Sequence, residues 1–316
     1  NDVWAMFRSG RFGSFSHAHA DQNSFQLYAY GRALAIDSGY YPSYGTPHDS
    51  LWTRQTRAHN GILVNGRGQP AYTWEAEGKI EHYERQGIVT LVRGQAAEAY
   101  NLPQPEGTAR LWRKLLKEPL PPMELKVENF ERTLAFVASR TRPVLVVHDY
   151  VKTAGPAKFS WLLHALNRME TDPRTGSIRI QDGNVRVAVR LVATSPFQFS
   201  QSNQFTIQPE AASNTAYILG KASFANQWHL QASTGQPGDE VKFLAVLVPY
   251  RDSEPEPEIE MLRGEGTIGF RVSGTSVAAW WGAGSHGKIS SAGLTGEGRF
   301  VINTTEPGAA ANVVAQ

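Results

Sequence analysis

Residues 16–25 read SHAHADQNSF and contain two of the nine histidines, His17 and His19, with Asp21 close behind. In an extended backbone, residues two apart point to the same face, so we expect the two imidazoles to lie side by side. A second polar cluster, RAHN at residues 57–60, adds another histidine and an asparagine. This concentration of His, Asp and Asn, in a chain otherwise patterned as strands, indicates a metal site or an acid–base site.

The segments that follow, SFQLYAY and ALAID, alternate or run apolar and predict a β-hairpin with a two-residue turn at 31–32. This pairing places Asp37 opposite Gln26. On an ideal ladder His19 lies too far along to meet Asp37. The two share a site only if residues 20–23 fold back.

Many short strands separated by Gly, Pro and Asn turns predict an all-β fold, a large antiparallel β-sandwich of the supersandwich-like kind with a small C-terminal β appendix. One short amphipathic helix is predicted at 109–117, ended by Pro119, Pro121 and Pro122. The predicted strands are 3–8, 24–30, 33–37, 61–65, 79–83, 88–93, 97–100, 130–138, 144–151, 159–165, 178–180, 185–192, 205–207, 228–231, 241–248, 268–272, 277–281 and 299–302.

The acidic, proline-containing run at 252–260 is the best candidate domain boundary. We expect a β-sandwich at 1–250 and a small C-terminal β domain at 251–316, with a frayed tail from Pro307. The N-terminal residues run straight into a strand and read like the middle of a protein. We therefore expect the chain to be part of something longer.

Composition excludes several classes of site. The chain has 316 residues and no cysteine, which excludes disulfides, Cys-ligated zinc and thiol nucleophiles. The formal charge of +2 gives no indication of a nucleic-acid partner, and none is expected. No apolar run reaches the roughly 18 residues that span a bilayer, so we expect no membrane span.

The sequence resembles the heparinase II/III-like C-terminal module of polysaccharide lyases. The matching text is HAHADQNSF at 17–25, YAYGR at 28–32, IDSGY at 36–40 and RAHN at 57–60. The resemblance implies an N-terminal (α/α) toroid, absent from this chain and supplied by the same gene product or a second chain. It also implies cleavage of uronate-containing polysaccharides by β-elimination.

Carried over position by position, the resemblance implies that His19, Asp37 and His59 are ligands of a divalent metal and that His17 is an active-site histidine. It implies a catalytic loop tyrosine, which is Tyr44, Tyr41 or Tyr40. Two nitrogens and one oxygen suit Zn²⁺, with Mn²⁺ as the alternative. Asp37 and His59 bracket the 38–59 loop. We therefore favour a metal that acts as a clamp and positions the catalytic groups, in preference to a metal that takes part in catalysis.

β-Elimination removes the proton next to the uronate carboxylate and expels the 4-linked oxygen. The carboxylate charge must be neutralised, a base must take the proton, and an acid must protonate the leaving oxygen. Tyrosine and histidine can fill the last two roles. A neutral imidazole at His17 can instead donate a hydrogen bond to the carboxylic group.

Four further residues are candidate substrate contacts, namely Trp52, Arg54, Arg57 and Asn60. Arginines can hold carboxylates or sulfates bidentately, and Trp52 can stack on a sugar ring or simply close the sandwich edge. His48 is a rival to His59 as a metal ligand. His164 lies in an apolar strand and is expected to be a satisfied core histidine.

The sequence therefore predicts a bacterial periplasmic or secreted lyase acting on a glycosaminoglycan such as heparin or heparan, hyaluronan or chondroitin. The alternatives are an alginate or oligoalginate lyase of the same fold, a non-catalytic carbohydrate-binding sandwich, and a uronate epimerase. A lyase leaves an unsaturated uronate, a binding module leaves no product, and an epimerase leaves polymer length unchanged.

Overall fold

A computed structural model describes residues 3–41, 43–117, 125–209, 225–305 and 311–315. The predicted all-β class is confirmed, since antiparallel strands dominate these residues. The strands are β1 (Val3–Arg8), β2 (Ser24–Ala29), β3 (Arg32–Ala35), β4 (Ile62–Val64), β5 (Lys79–Gln86), β6 (Val89–Gln95), β7 (Val127–Val137), β8 (Val144–Ala157), β9 (Phe159–Ala165), β10 (Glu170–Asp172), β11 (Ser177–Asp182), β12 (Val185–Ala193), β13 (Phe197–Ser202), β14 (Trp228–Thr234), β15 (Gly238–Arg251), β16 (Glu260–Gly264), β17 (Thr267–Val272), β18 (Thr275–Trp280), β19 (Gly287–Ser291), β20 (Leu294–Gly298), β21 (Phe300–Thr304) and β22 (Ala311–Ala315).

The sandwich has one large layer and a divided second layer. The large sheet has the strand order β10-β11-β12-β15-β8-β7-β6-β5. The second layer consists of the sheet β13-β14-β9-β4 and the sheet β1-β2-β3. Strand alternation explains the packing: in β9, Trp161 and Leu163 enter the core, and in β2, Phe25 and Leu27 do the same.

The central strands of the large sheet are buried on both faces. Along β8, Val147 faces the sandwich core, whereas Val146 faces a second apolar cluster shared with Phe270 and Phe300. That second cluster is covered by the sheet β16-β17-β18-β21-β22. Burial on both faces accounts for the nearly continuous apolar sequence of β8. The predicted C-terminal β region is present, and its division from the sandwich at residue 250 stays a prediction.

Three local predictions were wrong. Residues 97–100 form a short helix, α1 (Ala97–Tyr100), because the Gln95 side chain accepts from the N–H groups of Ala96 and Ala97 at 2.9 and 3.0 Å. Residues 205–207 form no strand. The tail residues Ala311–Ala315 pair with β21 rather than fray.

The predicted helix is present as α2 (Glu106–Leu116), which begins three residues early, directly after Pro105. It ends where Lys117 adopts a left-handed conformation at φ 56°. The three prolines expected to stop it lie outside the described residues. Two short helical turns, Asp49–Thr53 and Thr56–Ala58, occupy the predicted polar loop before RAHN.

Candidate active site and metal site

The segment before β2 turns twice rather than running extended. Ser16 and Asn23 both have positive φ, 55° and 59°, and the Ser24 N–H donates to the Asp21 carbonyl at 3.0 Å. The expectation that His17 and His19 point the same way was therefore wrong. His17 is exposed beside tyrosines, whereas His19 is partly buried beside His59.

Asp37 reaches the site because the hairpin contains an irregularity. The turn lies at Tyr30-Gly31, with φ 54° and 79°, one residue earlier than predicted. A register shift at Leu27/Tyr28 compensates for this difference. Gln26 then donates a hydrogen bond from Nε2 to Asp37 Oδ2, and these are the two residues that were predicted to lie opposite each other.

One ring nitrogen of His59 faces Asp37 and the other faces the backbone of Thr53. Its Nε2 lies 3.0 Å from the carbonyl oxygen of Thr53, which can only accept, so Nε2 carries a proton. Its Nδ1 lies 3.0 Å from Oδ1 of Asp37, yet both atoms are buried without hydrogen-bond geometry within the described residues. Two lone pairs facing at this distance require a proton or a cation between them.

His19 and Asp21 complete the cluster. The His19 and His59 ring centroids are 5.2 Å apart, and ligand atoms of His19, Asp21 and His59 all lie within 4.8 Å of one another. A proton would join only His59 and Asp37, whereas a metal ion at His59 would also lie within reach of His19 and of Asp21, whose carboxylate already pairs with Arg8. Sequence reasoning placed Asp21 beside the histidines without including it among the ligands. Two imidazoles and two carboxylates fit Zn²⁺ or Mn²⁺.

The four side chains of the cluster differ in their ionisation. Burial, reinforced by the charges of His59 and Arg54, lowers the pKa of His19 to about 3, so its imidazole is neutral at pH 7. Burial raises the pKa of Asp21 to about 6, against the charges of His59 and Arg8. Burial also opposes ionisation of Asp37 and His59, but their mutual attraction outweighs it, lowering the pKa of Asp37 and raising that of His59.

The predicted catalytic residues lie together at the surface. The His17 ring centroid is 4.9 Å from that of Tyr44 and 6.3 Å from that of Tyr41. Both tyrosines are half exposed. Tyr40, the third candidate, is engaged elsewhere: its hydroxyl donates to the Ala225 carbonyl at 2.6 Å. The geometry favours Tyr44 as the partner of His17.

Arg54 lies beneath this pair rather than in the solvent. It is fully buried, its Nε lies 3.0 Å from Asp49 Oδ2, and its Nη1 donates to the carbonyls of Ser16 and Ala18 on either side of His17. Its Cζ lies 4.9 Å from the Tyr44 ring centroid. Arg54 was predicted to bind substrate; its burial and its partners favour a positioning role.

Tyr72 covers the other side of Arg54 and was missed by the sequence interpretation. Its ring centroid lies 4.6 Å from Arg54 Cζ, and its hydroxyl pairs with Ser50 Oγ at 2.9 Å. The residue has φ 62° and lies eighteen positions after Arg54 in an irregular loop. No local sequence pattern links the two.

Asn60 and Trp52, also predicted as substrate contacts, are buried with internal neighbours. Asn60 Nδ2 donates to the carbonyls of Phe25 at 2.8 Å and Ile36 at 3.0 Å, which ties β2 to the segment after β3. Trp52 packs against Phe205 and His229. The hydrogen bonds of Asn60 therefore favour a structural role for that residue.

The two remaining histidine predictions can be compared with their surroundings. His48 has ring nitrogens facing the Ile207 carbonyl and, at 3.2 Å, the Tyr40 N–H, and it lies outside the group formed by His19, Asp21 and His59. His164 is buried, and its ring nitrogens lie 3.1 Å from Asn60 Oδ1 and 2.9 Å from the Arg57 carbonyl. His164 is a satisfied core histidine, as the sequence predicted.

A buried ion pair holds the two motif segments together. Arg132 and Asp149 are fully buried and joined by two hydrogen bonds of 2.6 and 2.9 Å, and the Trp161 indole donates to the same carboxylate at 3.1 Å. Arg132 Nη1 donates to the carbonyls of Asn23, at 2.7 Å, and Asn60. One guanidinium thus fixes the loop carrying His19 relative to the loop carrying His59.

Comparison with known proteins identifies one matching family. A family model described as heparinase II/III-like, C-terminal, matches residues 1–262. No curated protein matches the chain. The part of the chain that the structure describes contains no helix long and apolar enough to cross a membrane.

Solved structures share the fold at low identity. The heparan sulfate lyase HepC of Pedobacter heparinus matches with a TM-score of 0.59 and 12% identity, over 89% of this chain and 40% of that one. A heparinase III structure matches with a TM-score of 0.55 and 16% identity, over 94% and 37%. This chain spans about two fifths of the length of the structures it matches.

Proposed function

Because the chain belongs to the heparinase II/III-like C-terminal family, we propose that it is the β-sandwich part of a polysaccharide lyase. The substrate is a uronate-containing acidic polysaccharide, with a glycosaminoglycan preferred over alginate, and the reaction is β-elimination. Fold support comes from the matched heparinase structures. The observation that carries the proposal is the exposed His17–Tyr44 pair above the buried cation of Arg54.

In the proposed reaction, the bond between hydrogen and the carbon next to the carboxylate breaks. Its electron pair forms the carbon–carbon double bond, and the bond to the 4-linked oxygen breaks. Tyr44 takes the proton from this carbon and returns a proton to the departing 4-linked oxygen, because its phenol is at the surface and its ring centroid lies 4.9 Å from Arg54 Cζ. His17, adjacent and exposed, donates a hydrogen bond to the carboxylic group.

We propose that His19, Asp37 and His59 hold a divalent metal, Zn²⁺ in preference to Mn²⁺, with Asp21 as a neighbouring carboxylate. When bound, the metal supplies a clamp that fixes the loop between Asp37 and His59, the segment that carries Tyr44. The protein's own contacts act in the same direction, since Arg54 links that loop to the carbonyls around His17. The metal and Arg54 therefore both position the catalytic pair.

The matched structures are much longer than this chain, and we propose that an N-terminal (α/α) toroid supplies the other wall of the cleft. A large extracellular polymer does not enter the cytoplasm intact. We therefore propose a periplasmic or secreted location.

The test uses the full-length protein with heparan, heparin, hyaluronan, chondroitin and alginate. β-Elimination leaves an unsaturated uronate that absorbs at roughly 230–240 nm. We expect a rise with at least one glycosaminoglycan, its loss in His17→Ala, and its retention in His82→Ala, which removes a half-exposed histidine on β5. Binding without any absorbance rise, or altered stereochemistry at constant polymer length, would contradict the proposal.

A further inference from the structure

The outward face of the sheet β13-β14-β9-β4 forms a polar floor behind the proposed active site. The register pairs His229 with His164 and with Ser202, and it pairs Gln231 with Ser200. These residues alternate with core residues such as Leu163 and Leu230, so they face away from the sandwich core. An outward row of histidine, glutamine and serine is a hydrogen-bonding surface rather than a packing surface.

The helical turns before RAHN convert this floor into a cavity. Trp52 and Arg57 form its wall, and the cavity has a volume of about 350 Å³. The lining is mainly polar, with Ser200, Ser202 and Gln231 from the floor. A concave site of this size with convergent polar groups can hold part of a small ligand.

Arg57 is the single charged residue among the described lining residues. Its guanidinium stacks on Trp112, 4.7 Å from the ring centroid, and no carboxylate within the described residues pairs with it. A guanidinium stays charged at neutral pH. Burial lowers the pKa of His229 to about 4 and that of His164 well below its usual range, so both histidines are neutral. Among the described residues, the positive charge of Arg57 therefore has no carboxylate partner.

Two further lining residues offer hydrogen-bond donors to a ligand. The indole Nε1 of Trp52 is buried without an acceptor in the described part of the chain. The side-chain amide of Gln231 also lines the cavity. Buried polar groups left unpaired are unfavourable, and a ligand with acceptor oxygens would satisfy them.

We propose that this cavity is a subsite for the oxyanion of an acidic sugar, a carboxylate or a sulfate, with Arg57 as its charge partner. Arg57 precedes the proposed metal ligand His59 by two residues, and Ser38, which follows Asp37, pairs with His229 at 2.8 Å. The subsite therefore adjoins the proposed metal site. The choice of an acidic sugar as the ligand rests on the proposed function. The lack of a carboxylate partner for Arg57 among the described residues is an observation independent of that function.

The experiment measures oligosaccharide binding by calorimetry, using the full-length protein carrying His17→Ala to prevent turnover. The probes are a sulfated heparin tetrasaccharide, its desulfated form and a neutral tetrasaccharide. Arg57→Ala is expected to weaken binding of an acidic probe by about tenfold or more, and Arg57→Lys by less, because lysine keeps the charge without the bidentate geometry. Arg110→Ala, an exposed arginine of α2, is the control and is expected to bind normally.

If Arg57→Ala loses affinity only for the sulfated probe, the cavity is a sulfate site. If it loses affinity for both acidic probes, the cavity is a carboxylate site. Equal affinities for Arg57→Ala and Arg110→Ala would overturn the proposal. If Arg57→Ala fails to fold, Gln231→Leu replaces it, and an affinity unchanged from the parent would then overturn the proposal. Arg57-dependent binding without unsaturated product would contradict the lyase alone, whereas product formation with Arg57-independent binding would contradict the subsite alone.

Discussion

The rings of His17 and Tyr44 lie 4.9 Å apart, centroid to centroid, at the protein surface. Between them and the core lies a buried guanidinium, that of Arg54, which also binds the carbonyls flanking His17. The Arg54 side chain thus lies beside the Tyr44 ring and also holds the backbone on either side of His17. This relationship gives the proposed elimination its proton-exchanging group and its hydrogen-bond donor.

Tyr44→Phe removes only the hydroxyl and is expected to lower kcat by roughly 10²–10⁴-fold, the usual contribution of a general acid or base. Tyr41→Phe is expected to have a small effect, because the Tyr41 ring lies further from His17. The control is Tyr83→Phe at an exposed tyrosine of β5. Initial rates of unsaturated-product formation measure all three, and a larger loss from Tyr41→Phe than from Tyr44→Phe would reverse the assignment.

Asp37→Asn keeps the side-chain size but removes the charge next to His59. If these residues hold a metal, metal bound per chain should fall from about one ion to near none, because a charged ligand is lost. Mass spectrometry of the metal content measures this, with Asp172→Asn, at an exposed aspartate paired with Arg174, as the control.

A chelator should also lower the melting temperature of the wild-type protein, since a ligand that binds only the folded state stabilises it. Asp37→Asn should show little response to the chelator. Equal metal content in Asp37→Asn and Asp172→Asn would exclude Asp37 as a ligand.

Arg132→Ala leaves Asp149 buried without its cation. Breaking a buried ion pair in this way typically costs about 3–5 kcal/mol, so the free energy of unfolding should fall by that amount. Arg174→Ala breaks an exposed pair with Asp172 and should cost less than about 1 kcal/mol. Urea unfolding compares the two, and a similar small loss in both would show that Arg132 does not hold the motif loops together.

The lowered pKa of the buried His148 predicts how the free energy of unfolding depends on pH. His148 is buried on β8, 5.9 Å from the Phe300 ring, and burial together with the charges of Lys242 and Arg299 lowers its pKa to about 3. Below its unfolded pKa of about 6.5, the unfolded chain binds a proton that the folded chain refuses, so this residue lowers stability as pH falls from 6.5 toward 3.

Between about pH 7 and pH 5 the wild-type protein should therefore lose about 2 kcal/mol more unfolding free energy than His148→Leu. Urea unfolding of both proteins at the two pH values measures the difference. Parallel losses would mean that His148 is protonated in the folded state.

The sequence predicted the fold well where patterns are local. The alternation of β2 and the apolar runs of β8 and β9 specify strands, and each is found. Prediction failed where a side chain overrides the pattern, as when Gln95 caps residues 97–100 into a helical turn. It also failed at Phe205, which is buried against Trp52 and His48 rather than within a strand.

The motifs gave the residues of the site but not their roles. His17 and His19 were expected side by side on one face, whereas His17 lies beside Tyr44 and His19 beside His59. Arg54 and Asn60 were predicted to contact substrate, and both are fully buried and bind backbone carbonyls. Tyr72 and Arg132 were not singled out, because their contacts to the motif segments span 18 or more residues of sequence.

The mass of the oligosaccharide products tests the central claim most directly. The full-length protein and its His82→Ala variant should release products lighter by one water than hydrolysis products, because elimination leaves a double bond. His17→Ala and Tyr44→Phe should release almost none. Products carrying the mass of hydrolysis, or unsaturated products formed equally by all four proteins, would contradict the account.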